Sequence, residues 1–122
     1  MLQKESYIDV ADNSGAKLVK CIGILKGARE NQANIGDIIV VSVQKALPNA
    51  KVAHGEVSRA VVVRSKYGVK RKDGTFLRFS DNAVVLINKQ NELVGTRVMG
   101  SVPKELRGRN FVKILSLALE VL

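Results

Sequence analysis

The sequence predicts a mainly β protein: a small closed five-stranded β-barrel with a projecting basic β-hairpin and a short C-terminal helical region. Three observations carry that reading. Short apolar runs follow one another at close spacing, separated by turn signals and without intervening helical patterns, as in a small closed barrel. Between the last two runs, the stretch from Ala60 to Ile87 (AVVVRSKYGVKRKDGTFLRFSDNAVVLI) is loaded with cations. After Gly100 the apolar residues change to helical spacing.

Tyr7 to Val10 reads as a first short strand, and Asp12-Asn13-Ser14-Gly15 as the turn that follows. Leu18 to Leu25 returns as a second strand, with Val19, Cys21 and Gly23 facing one way and Leu18, Lys20, Ile22 and Ile24 the other. Gly36-Asp37 opens a third strand, Ile38 to Val43. Its near-continuous Ile/Val run suggests burial on both faces or a tight barrel wall. Pro48-Asn49 ends it. Arg59 to Lys66 and Ala83 to Asn88 supply two more strands.

The arm lies between those two. Arg64, Lys66, Lys70, Arg71, Lys72 and Arg78 are its six cations, and Asp73 is the only acid before Asp81. Asp73-Gly74 is a hairpin signal, because glycine accepts positive φ and aspartate bonds its own downstream backbone, so the arm reads as a β-hairpin whose strands continue into a buried sheet. An ordinary solvated surface mixes both signs of charge; this one is one-sided, as a contact for a polyanion requires.

Beyond Gly100, Pro103 to Arg107 reads as a short helix with proline near its first position and Gly108 as its stop. Asn110 is placed to cap a second helix. Phe111, Ile114, Leu115, Ala118 and Leu119 form its apolar stripe, with Lys113 on the opposite face.

Composition agrees with the charge pattern. The 122 residues hold 20 Lys+Arg against 11 Asp+Glu, a formal charge of +9. The excess is regional. It resides in the arm and in Arg97 to Lys113, where Arg97, Lys104, Arg107, Arg109 and Lys113 face Glu105 alone. Such patches suit phosphate. A membrane surface would ask for a basic amphipathic helix or a lipidation signal, and neither is present.

With 46% apolar residues and no linker, repeat or low-complexity tract, one domain spanning residues 1–122 is expected. The start MLQKESYID lacks a secretory apolar segment, so the chain is expected to be cytosolic. Cys21 is the only cysteine, which predicts a small buried hydrophobe rather than a disulfide or thiolate cluster.

Catalytic chemistry finds no support. His54 is the only histidine, in a loop, without a triad or metal-ligand spacing around it. Asp37, Asp73 and Asp81 each sit at strand ends, where turn-making is expected. No enzyme, cofactor, metal or small-molecule substrate is expected. The aromatics Tyr7, Tyr67, Phe76, Phe79 and Phe111 are too few for a stacking platform, which favours a folded RNA held by backbone and shape. Composition and spacing do not separate RNA from DNA. A free-standing basic barrel that regulates translation or chaperones RNA would share the pattern.

Longer strings narrow the choice. They are ADNSGA (Ala11 to Ala16), NIGDIIVVSV (Asn34 to Val43), AVVVRSK (Ala60 to Lys66), DGTFLRFSDNAVVLI (Asp73 to Ile87), GTRVMG (Gly95 to Gly100), ELR (Glu105 to Arg107) and KILSLALEVL (Lys113 to Leu122). Together they resemble the L-fourteen family of large-subunit ribosomal proteins, in its bacterial and organellar branch. The resemblance implies a structural protein of the cytoplasmic ribosome that binds large-subunit rRNA and touches small-subunit rRNA at inter-subunit bridges. It also implies packing against ribosomal proteins L-nineteen and L-three, and docking of the ribosomal silencing factor.

By motif, Arg64, Lys66, Lys70, Arg71 and Arg78 occupy places that resemble rRNA contacts. Lys72 at the arm tip, and Arg107 and Arg109 in the second basic region, complete the expected rRNA-binding set. Thr96, Arg97 and Lys113 occupy places that resemble the silencing factor's contact surface. The sequence departs from the family's pattern at Ala28 to Gln32, where a basic patch keeps only Arg29, and at Pro103-Lys104. It also departs at Leu119, which replaces a proline and predicts a longer final helix.

Overall fold

Valine and isoleucine dominate the apolar runs, and their branched Cβ favours the pleated, half-buried backbone of a strand. A computed structural model describes residues 2–3, 5–25, 32–109 and 111–122. Its strands are β1 (Leu2–Gln3), β2 (Tyr7–Val10), β3 (Ala16–Ile24), β4 (Gln32–Ala33), β5 (Ile38–Ala46) and β6 (Val57–Arg64). They continue with β7 (Val69–Lys70), β8 (Phe76–Leu77), β9 (Ala83–Ile87), β10 (Val98–Val102) and β11 (Ala118–Val121). A 3₁₀ helix (Lys104–Arg109) and α1 (Val112–Leu117) precede the last strand.

Strands β2, β3, β5, β6 and β9 close into a barrel in that order. Their ladders are antiparallel except for the closing pair, where Asp9 and Val10 of β2 lie parallel to Ala83 and Val84 of β9. These are the five strands the sequence predicts. Register shifts interrupt the β3–β5 ladder at three places, and such irregularities bend a sheet enough to close it.

Along β3 the predicted alternation is clear from Val19 to Ile22, where Val19 and Cys21 are buried and Ile22 is exposed; past the register shift after Cys21, Gly23 and Ile24 are both half-buried. In β5, Ile39, Val41 and Val43 point in, while their neighbours are half-covered. The long Ile/Val run is therefore a tight barrel wall with one fully buried face. Strand β9 is buried at all five positions and β6 from Ala60 to Val63. The tail adds to this packing: β10 lies against β6, and Val102, Leu106 and Ile114 join the same apolar cluster. Each fully buried Val, Leu or Ile contributes roughly 1.5–3 kcal/mol of transfer free energy.

The tail departs from the sequence expectation. Lys104–Arg109 is a 3₁₀ helix that runs through Gly108 rather than stopping before it. Helix α1 has six residues, so Leu119 does not prolong it. Ala118 is extended (φ −75°, ψ 148°), and the next residues pair in parallel with β10 as β11. A helix this short is marginal alone, and the β10 edge offers ladder bonds that another helical turn could not reach. Leu122 N, for instance, donates to the Val102 carbonyl at 2.8 Å. Of the predicted stripe, Ile114 and Leu115 are buried and Phe111 packs against the core. Asn110 and the Ala28 to Asn31 segment with Arg29 lie outside the described residues.

Candidate nucleic-acid interface

The arm begins from its turn. Asp73 Oδ1 accepts from the Thr75 N–H at 3.0 Å and the Thr75 hydroxyl at 2.6 Å, and Gly74 takes φ +91°. Those bonds stabilise the ionised carboxyl. The Thr75 hydroxyl first, then its N–H, and less strongly the nearby Arg71, hold Asp73 below its ordinary pKa. Behind the turn Val69 pairs with Leu77 and Lys70 with Phe76. The predicted hairpin is present, but its strands do not continue into the barrel: residues 65–68 and 78–82 interrupt them, and it stands as a separate two-stranded ribbon.

A cation serves a polyanion only if its head reaches solvent, and two arginines of the expected set have other partners. Arg64 sits at the end of β6 with its side chain 13% exposed. Its Nε donates to Asp81 Oδ1 at 3.0 Å, and its Nη1 to the carbonyls of Met99 (2.7 Å) and Ser101 (3.2 Å). It clamps β10 to the barrel wall. Asp81, expected as a turn-maker, is its counter-ion. Arg71 forms a two-pronged pair with Glu105 (3.1 and 3.0 Å) and donates to the Leu122 carbonyl.

That second pair joins what the sequence separates. Through Arg71 and Glu105 the arm folds onto the 3₁₀ helix, so the two basic regions meet. Lys70, Arg71, Lys72, Asp73, Lys104 and Glu105 line a recess of about 510 Å³ between them. Lys70, Lys72 and Lys104 are exposed there, while Glu105 is neutralised by Arg71. Arg107 is exposed on the same 3₁₀ helix, and the Arg109 side chain lies outside the described part. Lys66 and Arg78 are exposed at the base of the arm. Lys104 and Glu105 are the additions here; only the Arg71–Glu105 pair across the fold, and the recess it closes beside Lys104, distinguish them from ordinary surface charges.

Thr96, Arg97 and Lys113 are exposed as expected. The loop that carries the first two is organised by Asn13, read in the sequence only as a turn residue. Its Oδ1 accepts from the N–H groups of Thr96 (2.7 Å) and Arg97 (3.1 Å), and its Nδ2 donates to the Thr96 hydroxyl (2.9 Å). The adjacent Asp12 is buried and accepts from Ser14 and from the Leu86 N–H (2.9 Å), locking this turn to β9. Arg97 borders a surface recess with Met99, Leu117 and Ala118, at the end of the helix that carries Lys113.

His54 is exposed in a turn, and Cys21 is buried in the barrel. Among the described residues no group of three or more His, Cys, Asp or Glu could hold a metal, and no helix is long and apolar enough to cross a membrane.

A closed five-stranded barrel with a cationic arm and a folded tail places the chain among the small basic β-barrel proteins. The family model for ribosomal protein L14p/L23e matches residues 1–122, and the chain belongs to that family. It is a structural, non-enzymatic protein of the large ribosomal subunit, whose partners are rRNA and ribosomal proteins.

Proposed function

We propose that the chain acts as one domain that grips large-subunit rRNA through the face where the arm meets the 3₁₀ helix. The observation that carries this reading is the Arg71–Glu105 pair. It neutralises the acid of the second basic region and leaves Lys70, Lys72 and Lys104 around one recess. Lys66, Arg78 and Arg107 extend the positive surface to either side. Arg64 and Arg71 act from behind, as supports of that surface.

The sequence strings shared with the family support the finer roles. These are contact with small-subunit rRNA at inter-subunit bridges, packing against ribosomal proteins L-nineteen and L-three, and residence in the cytoplasmic ribosome. The same strings support docking of the ribosomal silencing factor on Thr96, Arg97 and Lys113.

Filter binding to a large-subunit rRNA fragment across a salt series tests the RNA face. Each neutralised phosphate contributes about 0.7–0.9 to the log–log salt slope, so replacing Lys70, Lys72 and Lys104 by alanine lowers it by about two to three. An unchanged slope would remove this face from the contact.

A further inference from the structure

The arm's aromatics are more organised than their number in the sequence suggests. Tyr67 and Phe76 lie edge to face, with ring centroids 6.1 Å apart and planes at 74°. Both stay open to solvent, at 52% and 43% exposure. The Arg78 guanidinium stands 4.9 Å from the Phe76 centroid. Lys70, directly opposite Phe76 in the ribbon, shares its face and is exposed. Phe79, by contrast, packs against the core.

The cluster is fixed from beneath. The buried Ser65 accepts the Tyr67 N–H on its hydroxyl (3.2 Å) and the Phe79 N–H on its carbonyl (3.4 Å). Asn82 Oδ1 accepts the Lys66 N–H at 2.8 Å. Gly68 has φ +84°, and a Cβ there would lie 2.9 Å from Arg78 Cγ and closer still to the Leu77 carbonyl oxygen. Only glycine lets this corner lie against β8 and bring Tyr67 to Phe76.

Two exposed rings, a guanidinium plane and an ammonium on one rigid corner match the parts of a single nucleotide. Flat π-faces and guanidinium planes stack on an unstacked base, and the ammonium meets its phosphate. An apolar protein side chain would cover the rings but desolvate Arg78 and Lys70 without compensation. We propose that Tyr67, Phe76 and Arg78 form a subsite for one unpaired nucleobase, so that the arm engages folded RNA at a bulged or looped-out nucleotide. The proposal rests on the RNA-binding reading above and specifies what the base of the arm recognises. One base needs only this corner, not the stacking platform that the sequence lacks.

The test uses the full chain and two synthetic RNA hairpins of equal length. One is fully paired; the other carries a single bulged 2-aminopurine. The bulged hairpin should bind about ten-fold tighter, as stacking on one side chain allows, and its fluorescence should be quenched on binding. The double variant Tyr67→Leu, Phe76→Leu should lose preference and quenching while keeping the affinity and salt slope of the paired hairpin. The ring-preserving exchange Tyr67→Phe, Phe76→Tyr should keep both, which guards against a merely unfolded leucine variant. Equal binding of both hairpins without quenching would overturn the subsite and leave the phosphate-binding reading standing. No salt-dependent binding to either hairpin would overturn both. A wild type without bulge preference, whose double leucine variant is excluded from large subunits, would assign the corner to a protein neighbour and also overturn the subsite.

Discussion

Arg64 and Lys70 belong to one run of cations, and their surroundings give them different tasks. Arg64 fills its guanidinium fork with Asp81 and two backbone carbonyls at 13% side-chain exposure. Removing it leaves a half-covered carboxylate and two carbonyls without their donor. Arg64→Ala should therefore cost about 2–3 kcal/mol of stability. Arg64→Lys should rescue little, since a single ammonium cannot reproduce the fork. Lys70→Ala should stay within about 0.5 kcal/mol, as an exposed substitution does. Urea melts of the three variants check the ordering. If Lys70→Ala proved the more damaging change, the assignment of Arg64 to the scaffold and Lys70 to the surface would be wrong.

At the scale of elements, the arm is a hairpin set by its tip and anchored at its flank. Asp73 is fully exposed, yet two hydrogen bonds from Thr75 favour its ionised form. Its folded pKa is lowered, so its contribution to turn stability is present above the ordinary carboxylate range, about pH 4, and is lost as pH falls through the lowered value. Thr75→Val removes the hydroxyl donor, the larger cause, and keeps the N–H. The Asp73 carboxyl should then titrate at higher pH than in the wild type, though still below a free aspartate. Following its carboxyl resonance by NMR through acid titration measures this. An identical midpoint in the two proteins would show that the hydroxyl bond does not form in solution.

For the whole molecule, the tail decides how the surfaces are divided. It packs β10 against β6, adds Leu106 and Ile114 to the apolar core, receives the arm through Glu105, and aligns β11 on β10 beside Arg97. The arm and the Thr96–Arg97 loop are thus carried by different supports, Arg71–Glu105 for one and Asn13 for the other. On the docking surface proposed above, reversing charge at Arg97 and Lys113 to Glu should abolish binding of the silencing factor. Like charges facing across an interface cost several kcal/mol. Entry of the protein into large subunits should survive the same change, because the arm is untouched. A pull-down with wild-type retention of the factor would take Arg97 and Lys113 out of that surface. Loss of subunit incorporation would place them on an assembly contact instead.

The sequence alone determined the barrel and the arm. Period-two burial from Val19 to Cys21 and from Ile39 to Val43 is local, and so is the Asp73-Gly74 turn; each is readable because its cause lies within a few residues. The one-sided charge and the family strings were equally legible, since both are properties of composition and order. Tertiary structure alone decided which cations face solvent. Arg64 and Lys66 look alike in the chain, and only the approach of Asp81 and β10 makes the first a clamp. It also decided that Asn13 holds a loop far along the chain, that Tyr67 meets Phe76, and that the tail leaves its helix at Ala118. Those outcomes depend on partners brought together by closing the barrel, and a hydrogen bond or ring contact between distant residues leaves no periodicity in sequence to announce it.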